Sequence, residues 1–129
     1  MCKIRKALIS VSNKESLKPL IDTLSKYKVE IISTGGTYKE IIKLGFKCTE
    51  LSEFTNAPEI LDGRVKTLHP KIYGGILNKR HNKKHYKEIK KNNYENIDLI
   101  IVNFYPFEDT LLKKRNHNKI IENIDIGGP

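Results

Sequence analysis

A chain of 129 residues holds enough material for one hydrophobic core and too little for two. Its composition, 38% hydrophobic and 30% charged, suits a soluble globular domain, and its longest apolar run, Ile97–Val102 broken by Asp98, falls far short of a membrane span. The net charge of +9 invites a nucleic-acid reading, but lysine outnumbers arginine 20 to 4 amid abundant isoleucine and asparagine, the signature of AT-rich codons rather than of a binding surface.

The first strand is predicted over Lys6–Val11. Ser12 and Glu15 have the spacing of a capping box, and Leu17, Leu20, Ile21 and Leu24 then recur at helical period, with Pro19 tolerated in the first turn. A second strand over Val29–Ser33 leads into Thr34-Gly35-Gly36-Thr37, a short helix over Tyr38–Leu44 stops at Gly45, and Phe46–Leu51 reads as a third strand. From Ser52 to Arg80 periodicity fades into a long loop anchored by Val65, Leu68, Ile72, Ile76 and Leu77. A polar helix near Asn82–Asn92 precedes the clearest strand, Ile97–Val102, and Asn116–Pro129 reads as a short helix and a turn. Strands alternating with helices imply an α/β domain with a mainly parallel sheet.

The basic run from Lys79 to Lys91 lacks stacking aromatics at regular spacing and reads as a solvated helix face, with a polyanion patch as the alternative. The start of the chain is basic, but Ala7-Leu8-Ile9 is too short for a signal-peptide core. Cys2 and Cys48 have no metal-ligand spacing and suit reduced thiols of a cytoplasmic protein.

Ligands of open α/β sheets bind beyond the strand carboxyl ends. Two hydroxyl-rich turns stand there: Ser10-Val11-Ser12-Asn13-Lys14 and Ser33-Thr34-Gly35-Gly36-Thr37. Glycines admit an anion to backbone N–H groups, hydroxyls add donors, and a helix dipole favours negative charge. Neither turn is a Walker A loop or a dinucleotide fingerprint, so the pair points to a phosphate on a small molecule. In Asp62-Gly63-Arg64-Val65-Lys66-Thr67-Leu68-His69-Pro70-Lys71, Arg64 and Lys66 share a side if the segment is extended; a surface loop with salt bridges is the plain alternative. His69 reads as structural. In Asn103-Phe104-Tyr105-Pro106-Phe107 the tyrosine is either a core-edge aromatic or a phenol aimed into the same crevice. Asp125, within Ile124-Asp125-Ile126-Gly127-Gly128, is an N-cap or a partly buried carboxylate with a shifted pKa, and spacing does not choose.

These blocks, together with Gly74-Gly75-Ile76-Leu77, occur in an order that resembles the inosine monophosphate (IMP) cyclohydrolase domain of the bifunctional purine-biosynthesis enzyme whose other domain is the AICAR transformylase. The likeness runs from about Lys6 to Pro129 and is most specific over Arg64–Pro70. It implies a methylglyoxal-synthase-like three-layer α/β fold. It also implies closure of formyl-AICAR to IMP with loss of water, without metal or organic cofactor; 10-formyltetrahydrofolate would serve only the transformylase.

Carried over by motif, Ser12, Asn13, Lys14, Thr34, Gly35, Gly36, Thr37, Arg64 and Thr67 would hold the nucleotide. Val102 and Asn103 would line the base, Ile126 would also bind the substrate, and Lys66, Tyr105 and Asp125 would surround the reacting groups. The implied partner is a purine ribonucleotide, formyl-AICAR or IMP, with neither nucleic acid nor membrane, and the full-length enzyme is expected to be a homodimer. Asn13 stands where the family usually shows aspartate. The family also continues past Gly-Gly-Pro into a helix bearing a further lysine. Residues 1–129 therefore read as a partial cyclohydrolase domain, truncated at its C-terminal end and without the transformylase domain. A non-catalytic nucleotide- or phosphate-binding module of the same fold is the alternative. A methylglyoxal-synthase-type lyase lacks its aspartate motif here, and an RNA-binding domain would declare itself by salt-dependent binding.

Overall fold

The computed structural model describes residues 3–63 and 65–103. In chain order the elements are β1 (Lys6–Ser10), α1 (Leu17–Lys26), β2 (Glu30–Ser33), α2 (Gly35–Lys43), β3 (Thr49–Glu50), α3 (Leu51–Thr55), α4 (Pro70–Leu77), α5 (Lys83–Lys91) and β4 (Leu99–Val102). The strands form one parallel sheet in the order β3-β2-β1-β4. The predicted parallel α/β architecture is therefore present.

Alternation along the central strands sends side chains to two cores, one on each face of the sheet. Ala7, Ile9 and Ile31 pack with Leu17, Ile21 and Leu24 of α1 and Ile41 of α2. Leu8 and Ile32 face the other way, onto Leu51 and Phe54 of α3, Ile72 of α4 and Ile97. Helices thus cover both faces, giving three layers. Ile9 and Ile32 are fully buried, so truncating either to alanine is expected to cost about 2–5 kcal/mol.

The sequence reading errs mainly between Phe46 and Arg80. The third strand is only Thr49–Glu50, and Leu51 opens a helix instead of closing a strand. The long loop contains two helices. In α3, Leu51, Phe54 and Thr55 are buried at positions i, i+3 and i+4, one helical face too short to register as a period. In α4, Pro70 occupies the first turn and the His69 side chain caps it, its Nδ1 accepting from the Lys71 N–H at 3.1 Å. Gly74-Gly75 obscured this helix because glycine disfavours helix. Gly75 is required by packing: a Cβ there would lie 2.5 Å from the Glu95 carbonyl oxygen.

Other boundaries moved too: β1 ends at Ser10, β2 begins at Glu30 and β4 begins at Leu99. Helix α2 begins at Gly35, not Tyr38, and α1 begins at Leu17 with Ser16 as its N-cap. The Ser12–Glu15 capping box does not form, because Ser12 bonds across the sheet instead. The basic helix agrees with its prediction: α5 runs between Asn82 and Asn92 and buries no residue. The proposed C-terminal helix and turn over Asn116–Pro129 lie outside the described residues. Among the described residues no helix is long and apolar enough to cross a membrane.

Candidate functional site

Register brings the predicted turns together. Ile9 pairs with Ser33 and Ser10 with Val102, so β1, β2 and β4 end side by side. The buried Ser33 hydroxyl donates to the Ile9 carbonyl at 2.7 Å and pins the β1–β2 end. Parallel strands leave the loops after β1 and β2, and Asn103 after β4, on one edge, and that edge carries the site.

The loop after β1 is tied on both flanks. On one side the Thr37 hydroxyl donates to the Val11 carbonyl (2.9 Å) and accepts from the Val11 N–H (3.1 Å). On the other, Asn103 Oδ1 accepts from the Ser12 N–H (2.5 Å) and the Ser12 hydroxyl (2.9 Å), while Asn103 Nδ2 reaches the Asn13 carbonyl at 3.5 Å. Asn13 Oδ1 accepts from the Glu15 N–H at 2.9 Å, closing an Asx turn. The loop is held without the help of α1's cap.

Helix α2 starts directly at the end of β2. Its first intrahelical bond runs from the Tyr38 N–H to the Thr34 carbonyl, so the N–H groups of Gly35, Gly36 and Thr37 precede any intrahelical acceptor. Gly35 has φ of 55°, a left-handed conformation that glycine adopts without penalty. Two lysines stand over this terminus. A Cβ at Gly35 would lie 3.5 Å from Lys66 Nζ, and one at Gly36 would lie 3.6 Å from Lys14 Nζ. Lys14 is steadied by its own loop, donating to the carbonyls of Ser12 (3.1 Å) and Val11 (3.4 Å).

Two ammonium groups beside three backbone donors at a helix N-terminus make a setting for an anion. Thr37 would contribute there through its backbone, since its buried side chain is committed to Val11. The Thr34 hydroxyl is also engaged, donating to Glu59 Oε1 at 2.6 Å. Glu59 was missed in the sequence because it belongs to no turn or strand end. Its only signal is its position five residues before the Arg64 block.

Of the predicted residues, Ser12, Asn13, Lys14, Thr34, Gly35, Gly36, Thr37, Lys66 and Asn103 gather at this edge. Val102, half-buried, ends β4 beside Ser10. Thr67 is half-buried on the approach to α4, its carbonyl accepting from the His69 N–H at 2.8 Å. Arg64, Tyr105, Asp125 and Ile126 lie outside the described residues. Among the described residues no group of three or more His, Cys, Asp or Glu is placed to hold a metal ion.

Comparisons with known proteins agree with this architecture. The chain is 51% identical over 126 residues to the bifunctional purine biosynthesis protein PurH of Rhodospirillum rubrum, and 48% identical over 130 aligned positions to that of Magnetococcus marinus. The alignments cover 98% and 100% of this chain, which spans about a quarter (24%) of the length of either relative. A solved structure, the crystal structure of ForH, is 28% identical and superposes with a TM-score of 0.81, covering 98% of this chain and 64% of that one. The model of the MGS-like domain matches residues 16–129, nearly the whole chain, and this protein belongs to that family.

Proposed function

We propose that this chain is the nucleotide-gripping part of an IMP cyclohydrolase, binding formyl-AICAR and closing it to IMP with loss of water. Residues 1–129 would be a partial cyclohydrolase domain of a longer purine-biosynthesis protein. The observation that carries the reading is the placement of Lys14 and Lys66 over Gly36 and Gly35, at the N-terminus of α2. The N–H groups of Gly35, Gly36 and Thr37 together with Lys14 suit the nucleotide phosphate, and Ser12, Asn13 and Asn103 form a polar wall beside it. The similarity to PurH proteins supports a purine ribonucleotide as the ligand.

In the ring closure a carboxamide nitrogen, a poor nucleophile, attacks the formyl carbon. Oxygen of the formyl group gains charge as the C–N bond forms, and it leaves as water after proton transfer. Lys66 is assigned to stabilise that oxygen, by charge and by donation from Nζ. Tyr105 and Asp125 are assigned to the same reacting groups, the carboxylate to orient or deprotonate the amide. No metal or organic cofactor is needed for these steps.

The test is calorimetric titration with IMP, followed by an ultraviolet assay of formyl-AICAR conversion. Specific IMP binding that weakens by about 1.5–3 kcal/mol in Lys14→Ala supports the grip. Binding without turnover, even after the chain is extended beyond Pro129 into the next helix of a PurH relative, would favour a non-catalytic module. Failure to prefer IMP over inorganic phosphate would overturn the nucleotide reading.

A further inference from the structure

A carboxylate stands inside the anion setting. Glu59, exposed on the segment between α3 and α4, accepts from the Thr34 hydroxyl at 2.6 Å. Thr34 is itself buried and immediately precedes the free N–H groups of α2. The second Glu59 oxygen and Lys66 Nζ flank Gly63: a Cβ there would lie 3.3 Å from the first and 3.6 Å from the second. Gly63 has φ of 79°, so glycine both permits the turn and leaves room for the two charged ends to approach. The same Lys66 Nζ is the ammonium nearest Gly35. A negative group therefore already occupies one donor of the site and neighbours a second.

We propose that Glu59 is an internal competitor for anions, lowering the affinity of the α2 turn for any anionic ligand group. In the free protein the carboxylate accepts from Thr34, and both it and the Lys66 ammonium lie beside Gly63. An incoming phosphate at the Gly35, Gly36 and Thr37 N–H groups meets a like charge beside the turn, on a carboxylate that already holds the adjacent Thr34 hydroxyl. The consequence is selectivity: an anion that binds only through the turn is penalised, whereas a ligand with further contacts along the strand ends overcomes the penalty. This deepens the nucleotide reading and rests on it for the identity of the favoured ligand, but the competition itself concerns any anion.

Glu59→Gln tests it, because the amide oxygen keeps an acceptor for Thr34 while the charge is removed, and an exposed position tolerates the change. Wild type and variant are titrated with inorganic phosphate, IMP and inosine. Phosphate and IMP are expected to bind about three- to tenfold more tightly to the variant at low salt. That gain should shrink at about 0.5 M salt through screening, and inosine, which lacks the anion, should be unaffected. Equal or weaker phosphate and IMP binding by the variant, or phosphate binding by neither protein, overturns the competitor role. A wild type that binds IMP no better than phosphate overturns the nucleotide reading instead, and leaves the phosphate comparison to decide the role of Glu59.

Discussion

One oxygen of Asn103, at the end of β4, receives both the backbone N–H and the hydroxyl of Ser12, residues 91 apart in the sequence. The pair fastens the loop after β1 to the neighbouring strand and sets where Lys14 can stand. Asn103→Ala removes both acceptances and is expected to destabilise the fold by about 0.5–1.5 kcal/mol and to weaken IMP binding. Asn103→Asp keeps the acceptor oxygen, so its stability should stay near wild type while the added charge still weakens binding. Urea denaturation and IMP titration of the two variants separate the structural part from the electrostatic part.

Gly35 and Gly36 should respond differently to the same methyl group. Gly35→Ala places a side chain at φ of 55° and should cost about 1–2 kcal/mol of stability. Gly36 has no positive φ and its Cβ would meet only the end of Lys14, at 3.6 Å. Gly36→Ala should therefore fold as well as wild type yet lose about 1–3 kcal/mol of IMP binding, since the methyl stands between the helix N–H groups and the ligand. Thermal melts and calorimetry check the two effects; unimpaired IMP binding by Gly36→Ala would remove the helix terminus from the site.

The basic helix α5 is expected to have no part in ligand binding. It buries no residue, and Lys83 and Lys84 lie in its first turn, where the helix dipole opposes positive charge. Reversing both to glutamate should raise stability by about 0.3–1 kcal/mol per favourable charge and leave IMP affinity within about 0.5 kcal/mol. A severalfold loss of IMP affinity would make this face part of the site.

Burial pushes the Cys48 thiol up from 9.0 to about 11, with the nearby Glu50 carboxylate adding to the effect. The folded chain then keeps this proton through a window in which the unfolded chain has released it. Stability contributed by the neutral thiol is fully present below about pH 9 and is lost as pH rises toward 11. Relative to Cys48→Ala, the wild type should lose stability across that window in denaturant titrations. Alkylation of Cys48 in the folded protein should have its pH midpoint near 11; a midpoint near 9 would show that the thiol is not shielded.

Much of this protein is legible in local sequence. Runs such as Lys6–Ser10 and Leu99–Val102 announce strands, Leu17, Ile21 and Leu24 announce the helix between the first two, and hydroxyls with glycines mark the turns after strands. Those signals arise within one turn or one strand, so neighbours in the chain are enough to create them. Tertiary structure decided the rest. The five-residue α3 is stable only against Leu8 and Ile32, and Gly75 in α4 is explained only by the Glu95 carbonyl behind it. Ser12 looked like a helix cap because its spacing to Glu15 is local, but Asn103 offers an acceptor that exists only once β4 lies beside β1. Glu59 has no local pattern at all; its meaning comes from Thr34 and Lys66, which the fold places next to it. Local periodicity reports the free energy of neighbours, whereas the site is assembled by contacts whose partners are separated in the chain and meet only when the parallel strands align their ends.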